Sequence, residues 1–487
     1  MPLLLALGLG LAFPLAYAPY GWWWLVPLLL AGVFLNWQAT PRQAALRGYV
    51  FGLGFFGHGV GWVQVSIHQF GLPMYSFSVT MTALFVAFMA LYPALVAWLS
   101  RRLPAGSQSL RLVLLTPALW TLGEWVRGWL FSGFPWLILG DSQTEGPLRG
   151  FVPVLGAQGT SLVLALMAAC CALALRGPGL KRRGLVLALA LLPLALGDLL
   201  AGHAWTTPEG APRSVALAQG AVAQEEKWSP ENRANTLARY ARLTEPLWGT
   251  QVILWPETAL PAFPQEIPEF LDELTARARR AGSTLLLGLP TSGEAGRYYN
   301  SLVMLGEQRG TYSKHHLVPF GEYLPFEPQL RPLLDFLSIP MSSFSAGAER
   351  QPTLDAGDLR FGATICYEDA YASEVAKALP MANVLVNVSN DAWFGNSAAP
   401  HQHLQIARVR ALEFGRPLLR ATNTGISALI DHRGGLQAVS PQFQPYALRG
   451  EVQPRTGLTP FARFGPWPAL AVAAAMAAWA VASRRSR

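Results

Sequence analysis

Eight apolar stretches, broken by short polar loops and one long polar interval, constrain this chain before anything else. They cover residues 2–18, 21–36, 47–65, 76–99, 112–131, 152–175, 184–201 and 466–482. A bilayer core takes roughly 20 apolar residues in helical form, so each stretch is a candidate span, the second a short one. Between the seventh and eighth lie roughly 260 residues of ordinary globular composition, the size of a single α/β domain. With 52% hydrophobic residues, 14% charged residues and 17 Trp in 487, the whole does not resemble a soluble protein. The expected organisation is a multi-span α-helical membrane bundle of seven helices in 1–202, an α/β domain in 203–464, and a last helix with a basic tail in 465–487.

The net charge of +8 raises the question of nucleic acid, and its location answers it. Residues 203–464 hold 23 Lys and Arg against 25 Asp and Glu, a net of −2, while the rest of the chain holds 14 against 4. The basic residues fall on alternate short loops: Arg42 and Arg47; Arg101, Arg102 and Arg111; Arg176, Lys181, Arg182 and Arg183; and Arg484, Arg485 and Arg487. The intervening short loops contribute only Arg149. The positive-inside tendency then puts both termini in the cytoplasm and the 203–464 domain outside it, with no nucleic-acid partner. Residues 1–18 end in "AYA", which looks like a cleavage site, but no Lys or Arg precedes the apolar run, so a first span is expected instead.

Cysteine is scarce: Cys170 and Cys171 sit in an apolar stretch, and Cys366 stands alone in the polar interval, without a partner for a disulfide. A buried inert thiol is the plain explanation for such a residue. Its surroundings argue otherwise. Short β-branched runs such as "SVALAQG", "QVILWPE", "STLLLGLP", "RFGATICYE" and "NVLVNVS" recur, with helical patterns at 229–247, 266–281 and 401–414 between them. Strands alternating with helices predict a layered α/β sandwich. Such folds carry their chemistry just past strand ends, where Glu257, Lys314 and Cys366 all fall.

A thiol attacks an acyl carbon as thiolate, so it needs a base to take its proton and a positive charge to favour the anion. Glu257 supplies the first and Lys314 the second. The ammonium also meets the oxyanion, together with the backbone N–H of Tyr367. Glu322, eight residues after Lys314, is placed to hold that ammonium. Taken singly, each of these carboxylates and the lysine reads first as a solvated loop charge.

Together, the segments carry a resemblance. "WPET", "KHHLVPFGEYLP" and "CYED", in that order and at those separations, look like the three active-site segments of the nitrilase superfamily. With seven spans ahead of the domain and one behind it, nearly the full chain resembles the apolipoprotein N-acyltransferases, and "NVSNDAWFG" at 387–395 adds a second long string. The resemblance implies a nitrilase-like (CN hydrolase) αββα sandwich on the periplasmic side of a bacterial inner membrane, with Glu257, Lys314 and Cys366 as catalytic triad. It implies supporting roles for Glu322, Tyr367, Glu368 and Trp228. It also implies a phospholipid donor, typically phosphatidylethanolamine, a diacylglyceryl-cysteine lipoprotein acceptor, and no cofactor.

The apolar segment 330–344 reads either as an arm touching lipid or as packing over the sandwich. His315, His316, His401 and His403 lack the ligand company of a zinc site. Glu124 and Arg127 in the fifth stretch are expected to form a structural ion pair, with a headgroup contact as the functional option. Two further readings stay open: a membrane-tethered amidase using water as acceptor, and a transporter with an accessory domain, which would need broken spans with polar midpoints.

Overall fold

The computed structural model describes residues 1–70, 74–176, 179–324 and 344–483. The basic tail at 484–487 and the apolar segment 330–344, apart from Phe344, lie outside the described residues. The chain divides into two units, one of Met1–His68, Leu72–Ala204 and Thr459–Arg487, the other built on Trp205–Leu458.

The first unit is helical throughout. Tyr75–Arg102, Pro147–Arg176 and Leu180–Gly202 are long and apolar enough to cross a membrane, and they fall on three of the eight sequence stretches. The 47–65 stretch becomes a pair of helices, Pro41–Val60 and Val63–Gln69, bent by 58°, which makes four if counted as one span. The stretches 2–18, 21–36 and 466–482 form shorter apolar helices, Pro2–Ala16, Leu25–Asn36 and Trp467–Ala482. Hydropathy runs on through a bend, whereas the helix axis does not, so a sequence window cannot register the break. Close approach here rests on small residues. A Cβ at Gly10 would lie 2.2 Å from the Phe51 carbonyl oxygen, and one at Gly54 would lie 2.7 Å from that of Leu7.

Arg127 and Glu124 are both buried near the end of the helix Thr116–Arg127. The expected ion pair is replaced by bonds to the following loop. Arg127 donates to the carbonyls of Phe134, Trp136 and Leu137, while Glu124 accepts from the Leu139 N–H at 3.1 Å and the Trp120 indole at 3.0 Å. Both charges fasten loop backbone.

The second unit holds two six-stranded sheets. The strands are β1 (Arg213–Gln219), β2 (Val252–Leu254), β3 (Thr284–Ser292), β4 (Tyr298–Leu305), β5 (Gly310–Ser313), β6 (Leu354–Ala356), β7 (Leu359–Ile365), β8 (Val384–Ser389), β9 (Leu418–Thr422), β10 (Ala428–Ile430), β11 (Leu436–Val439) and β12 (Tyr446–Val452). One sheet runs β12-β1-β2-β3-β4-β5 and the other β11-β10-β9-β8-β7-β6. Each has a parallel core, β1-β2-β3 in the first and β7-β8-β9 in the second, with antiparallel strands outside.

The period of two explains the layering. Along β1, Val215 and Leu217 enter a core shared with Phe361, Val386 and Leu419 of the other sheet. Ala216 and Ala218 face the opposite way, with Tyr240 and Leu274 of the helices α1 (Pro230–Thr244) and α2 (Pro268–Ala281). The ring of Tyr240 stacks on Trp255 at 4.8 Å. On the second sheet α3 (Ala372–Ala376) and α4 (Ala399–Phe414) pack against the turn after β7, and α4 also packs on β9 and β10. Strands covered on both faces read as continuous apolar runs, as "VLV" and "LLL" do here.

Candidate active site

Three strand ends deliver the three residues expected from the sequence. Glu257 follows β2 after Trp255 and Pro256, in a turn that lies directly on β3: a Cβ at Gly288 would sit 2.4 Å from the Pro256 oxygen and 2.8 Å from the Glu257 Cα. Only glycine lets the two backbones meet so closely. Lys314 comes immediately after β5, its N–H donating to the Asn300 carbonyl at 2.8 Å. Cys366 opens the short turn Cys366–Ala370 after β7 with φ of +56°, a left-handed conformation that a residue with a side chain holds only under constraint. The constraint is visible, since the Asn387 amide donates to the Cys366 carbonyl at 2.9 Å.

Lys314 is 1% exposed and lies between two carboxylates. Its Nζ donates to Glu322 Oε1 at 2.8 Å, with Oε2 also at 2.8 Å, and stands 3.7 Å from Glu257 Oε1. Burial alone would push this ammonium toward neutrality, but Glu322, Cys366 and Glu257 reverse that and raise its pKa well above the ordinary value. It stays charged. The Asn300 amide donates to Glu257 Oε1 at 2.7 Å and to Glu322 Oε1 at 3.3 Å, holding both carboxylates on the ammonium. Burial pushes the Cys366 thiol up, and the charge of Glu257 adds to this while Lys314 opposes it. The resting sulfur is therefore a thiol whose ionisation depends on nearby charge.

Glu368 is fully buried behind this centre. Its Oε1 accepts from the N–H groups of His315 and His316 at 2.7 and 2.9 Å, and its Oε2 from the Ile365 N–H and Tyr312 hydroxyl at 2.7 and 3.0 Å. One carboxyl thus ties the loop after β5 to the turn that carries Cys366. Burial pushes its pKa up to about 7 against the pull of those backbone donors and of Lys314. Next along the turn, Asp369 accepts from His403 Nε2 at 2.8 Å, and Asp391 contacts His403 Nδ1 at 3.0 Å. Arg420 donates to both acids at 3.3 and 3.1 Å. Burial and Arg420 oppose protonation of His403, but the two acids prevail and raise its pKa. His403 is a buried structural residue.

The supporting residues expected from the sequence divide. Glu322 and Glu368 are in direct contact with the Lys314 segment. The Tyr367 side chain faces Tyr371, whose hydroxyl donates to it at 2.9 Å, so its main chain is the part nearest the sulfur. Trp228 is 51% exposed at the end of the short helix Gln224–Lys227. Sequence reasoning missed Asn300, the amide between the two carboxylates, and Lys227, whose buried Nζ donates to the Glu257 carbonyl at 3.2 Å. The one available signal for Asn300 was a polar residue within the apolar run "YYNSLVML".

An acid, an ammonium and a thiol at converging strand ends of two packed sheets define the carbon-nitrogen hydrolase class, and residues 214–459 match the model of the carbon-nitrogen hydrolase family. Residues 9–170 match the apolipoprotein N-acyltransferase N-terminal domain. Proteins named apolipoprotein N-acyltransferase are similar along nearly the full length. One from Methylococcus capsulatus is 48% identical over 99% of this chain and 96% of that protein. One from Azotobacter vinelandii is 43% identical over 99% and 95%, and one from Photobacterium profundum 40% identical over 96% and 92%. The chain belongs to the apolipoprotein N-acyltransferase family.

Proposed function

We propose that this chain transfers an acyl chain from a membrane phospholipid, phosphatidylethanolamine foremost, to the α-amine of the diacylglyceryl-cysteine of an apolipoprotein, by way of a thioester on Cys366. The observation that carries the reading is the buried Lys314 ammonium, 3.7 Å from Glu257 and electrostatically coupled to Cys366, in a chain with an apolar helical unit. Glu257 takes the thiol proton as Sγ attacks the ester carbonyl carbon. Lys314 and the Tyr367 N–H meet the oxyanion. Collapse breaks the bond to the glycerol oxygen, which leaves with the proton from Glu257 as lysophospholipid. The amine then attacks the thioester, Glu257 takes its proton, and the sulfur departs and receives that proton from Glu257, which restores thiol and carboxylate. Glu322 and Asn300 keep Lys314 and Glu257 in register through both halves.

A phospholipid donor keeps its chains in the bilayer, which suits a chain whose helices include some long and apolar enough to cross a membrane. Placement on the periplasmic face of the inner membrane rests on the loop charges, 12 basic residues on one set of short loops against one on the other. An alkaline-phosphatase fusion after residue 210 should be active in intact cells, and an inactive one would reverse the orientation. For the chemistry, purified enzyme is given phospholipid and a diacylglyceryl peptide. Acyl chain on the peptide amine supports the reading, whereas free fatty acid with an unmodified peptide would make the chain a membrane-tethered amidase-type hydrolase.

A further inference from the structure

Beside the Glu257–Lys314 pair, a second lysine comes to the reaction centre from a different part of the domain. Lys227 is 2% exposed, and its hydrogen-bond partner among the described residues is a main-chain oxygen, that of Glu257 at 3.2 Å. Among the described residues no carboxylate is bonded to this buried ammonium, which is unusual because desolvation is normally offset by an ion pair. Its place is enforced by the opposite sheet. Asn423, just past β9, donates to the Val222 carbonyl at 2.7 Å and accepts from the Val222 N–H at 3.0 Å. Asn390, just past β8, donates to Gln224 at 2.7 Å. The short helix Gln224–Lys227 is thereby fastened to the sheet that carries Cys366, while its last residue reaches the turn that carries Glu257.

We propose that Lys227 is a positioning residue for acyl transfer, a second cation that holds Glu257 through its main-chain carbonyl and sets its charge beside the Glu257–Cys366 pair, so that Cys366 ionises more readily while Lys227 is protonated. This deepens the acyl-transfer reading and rests on it for its purpose. The charges around Lys227 are few. Its amine touches the Glu257 turn after β2, and Glu257 and Cys366 are the two groups whose charge favours its protonated form. Beyond Glu257 stands Lys314, held by Glu322. Asp391 is occupied by His403 and Arg420. Arg239 of α1 is turned to the carbonyls of Gly220 and Ala221 at 3.2 Å, and Glu225 and Glu226 on its own helix are exposed. Burial lowers Lys227 to about 8, so its charge is lost within an accessible pH range. A lysine needed only to satisfy a buried carbonyl would serve equally well as any donor; a cation acting on Cys366 would not.

Iodoacetamide separates the two roles without any lipid substrate: the thiolate sulfur attacks the methylene carbon, the carbon–iodine bond breaks and iodide leaves. In the full-length enzyme in detergent micelles, the rate at Cys366 is followed by peptide mass spectrometry from about pH 6 to about pH 10. The wild-type rate should rise with pH but flatten around 8, as Lys227 loses its proton and its help is withdrawn. Lys227→Met and Lys227→Gln should both react more slowly at neutral pH, about tenfold for each unit by which the thiol pKa rises, and show no flattening. Lys227→Arg, charged throughout the range, should keep the neutral rate and also lose the flattening. Folded Met and Gln variants that follow the wild-type curve overturn the proposal, as does a flattening that persists in the Arg variant. Should no substitution fold, a wild-type curve without the flattening overturns it equally. Because the reagent is not an acyl donor, these outcomes are independent of whether phospholipid is the true donor.

Discussion

Arg127 in the helical unit and Lys314 in the α/β domain are only 3% and 1% exposed, yet their partners are of opposite kinds. Arg127 gives its N–H groups to three loop carbonyls and Glu124 accepts from a loop N–H, so both charges hold backbone. Lys314 is held by side chains, two carboxylates that also share the Asn300 amide, and it still acts electrostatically on Cys366. What separates the two is the reaction centre and not burial: Arg127 ends on loop main chain, whereas Lys314 ends on two carboxylates and acts electrostatically on Cys366, as Lys227 also does.

Three substitutions press on that contrast. The largest effect is expected from Lys314→Met, which removes the oxyanion's cation and leaves Glu257 and Glu322 facing each other. Acyl-enzyme formation and its discharge should each slow by about 10²–10³. Loss of only one half-reaction would mean that Lys314 does not meet both oxyanions. Arg127→Leu should instead lower stability by about 3–5 kcal/mol, because three loop carbonyls lose their donor and a buried acceptor left unpaired costs about 1–3 kcal/mol. In micelles at a temperature where the variant remains folded, its Cys366 alkylation rate should match wild type; a changed rate would give Arg127 more than an anchoring task. Gly288→Ala is the mildest. The added methyl must displace the Glu257 turn, at a cost of about 1–3 kcal/mol, and the rate should fall with little change in affinity for phospholipid. Unchanged kinetics would show that the turn moves without carrying the carboxylate.

Much of the catalytic domain is legible in the sequence because its signals are local. Glu257 and Cys366 each follow an apolar run that becomes β2 or β7, and Lys314, after the short polar strand β5, opens the long string "KHHLVPFGEYLP". Lys227 and Asn300 escaped because their meaning lies in contacts 30 and 43 positions away. The helical unit is less legible. An apolar window over 47–65 cannot register the break between Val60 and Val63, since the residues there are as apolar as their neighbours while the axis turns by 58°. Nor did the Glu124 and Arg127 pattern reveal that both would be spent on the loop at 134–139, because spacing on a helix suggests a pair and says nothing of an approaching backbone.

The central claim is that Cys366 carries the acyl chain between two half-reactions. Enzyme is incubated with phospholipid alone and its intact mass recorded, then a diacylglyceryl peptide with a free amine is added. One acyl chain should accumulate on wild-type enzyme, map to Cys366, and pass to the amine on addition of peptide, while Cys366→Ala acquires none and yields no product. Product formed with both substrates present, but with no adduct on phospholipid alone, would contradict the two-step account and require direct transfer in a ternary complex.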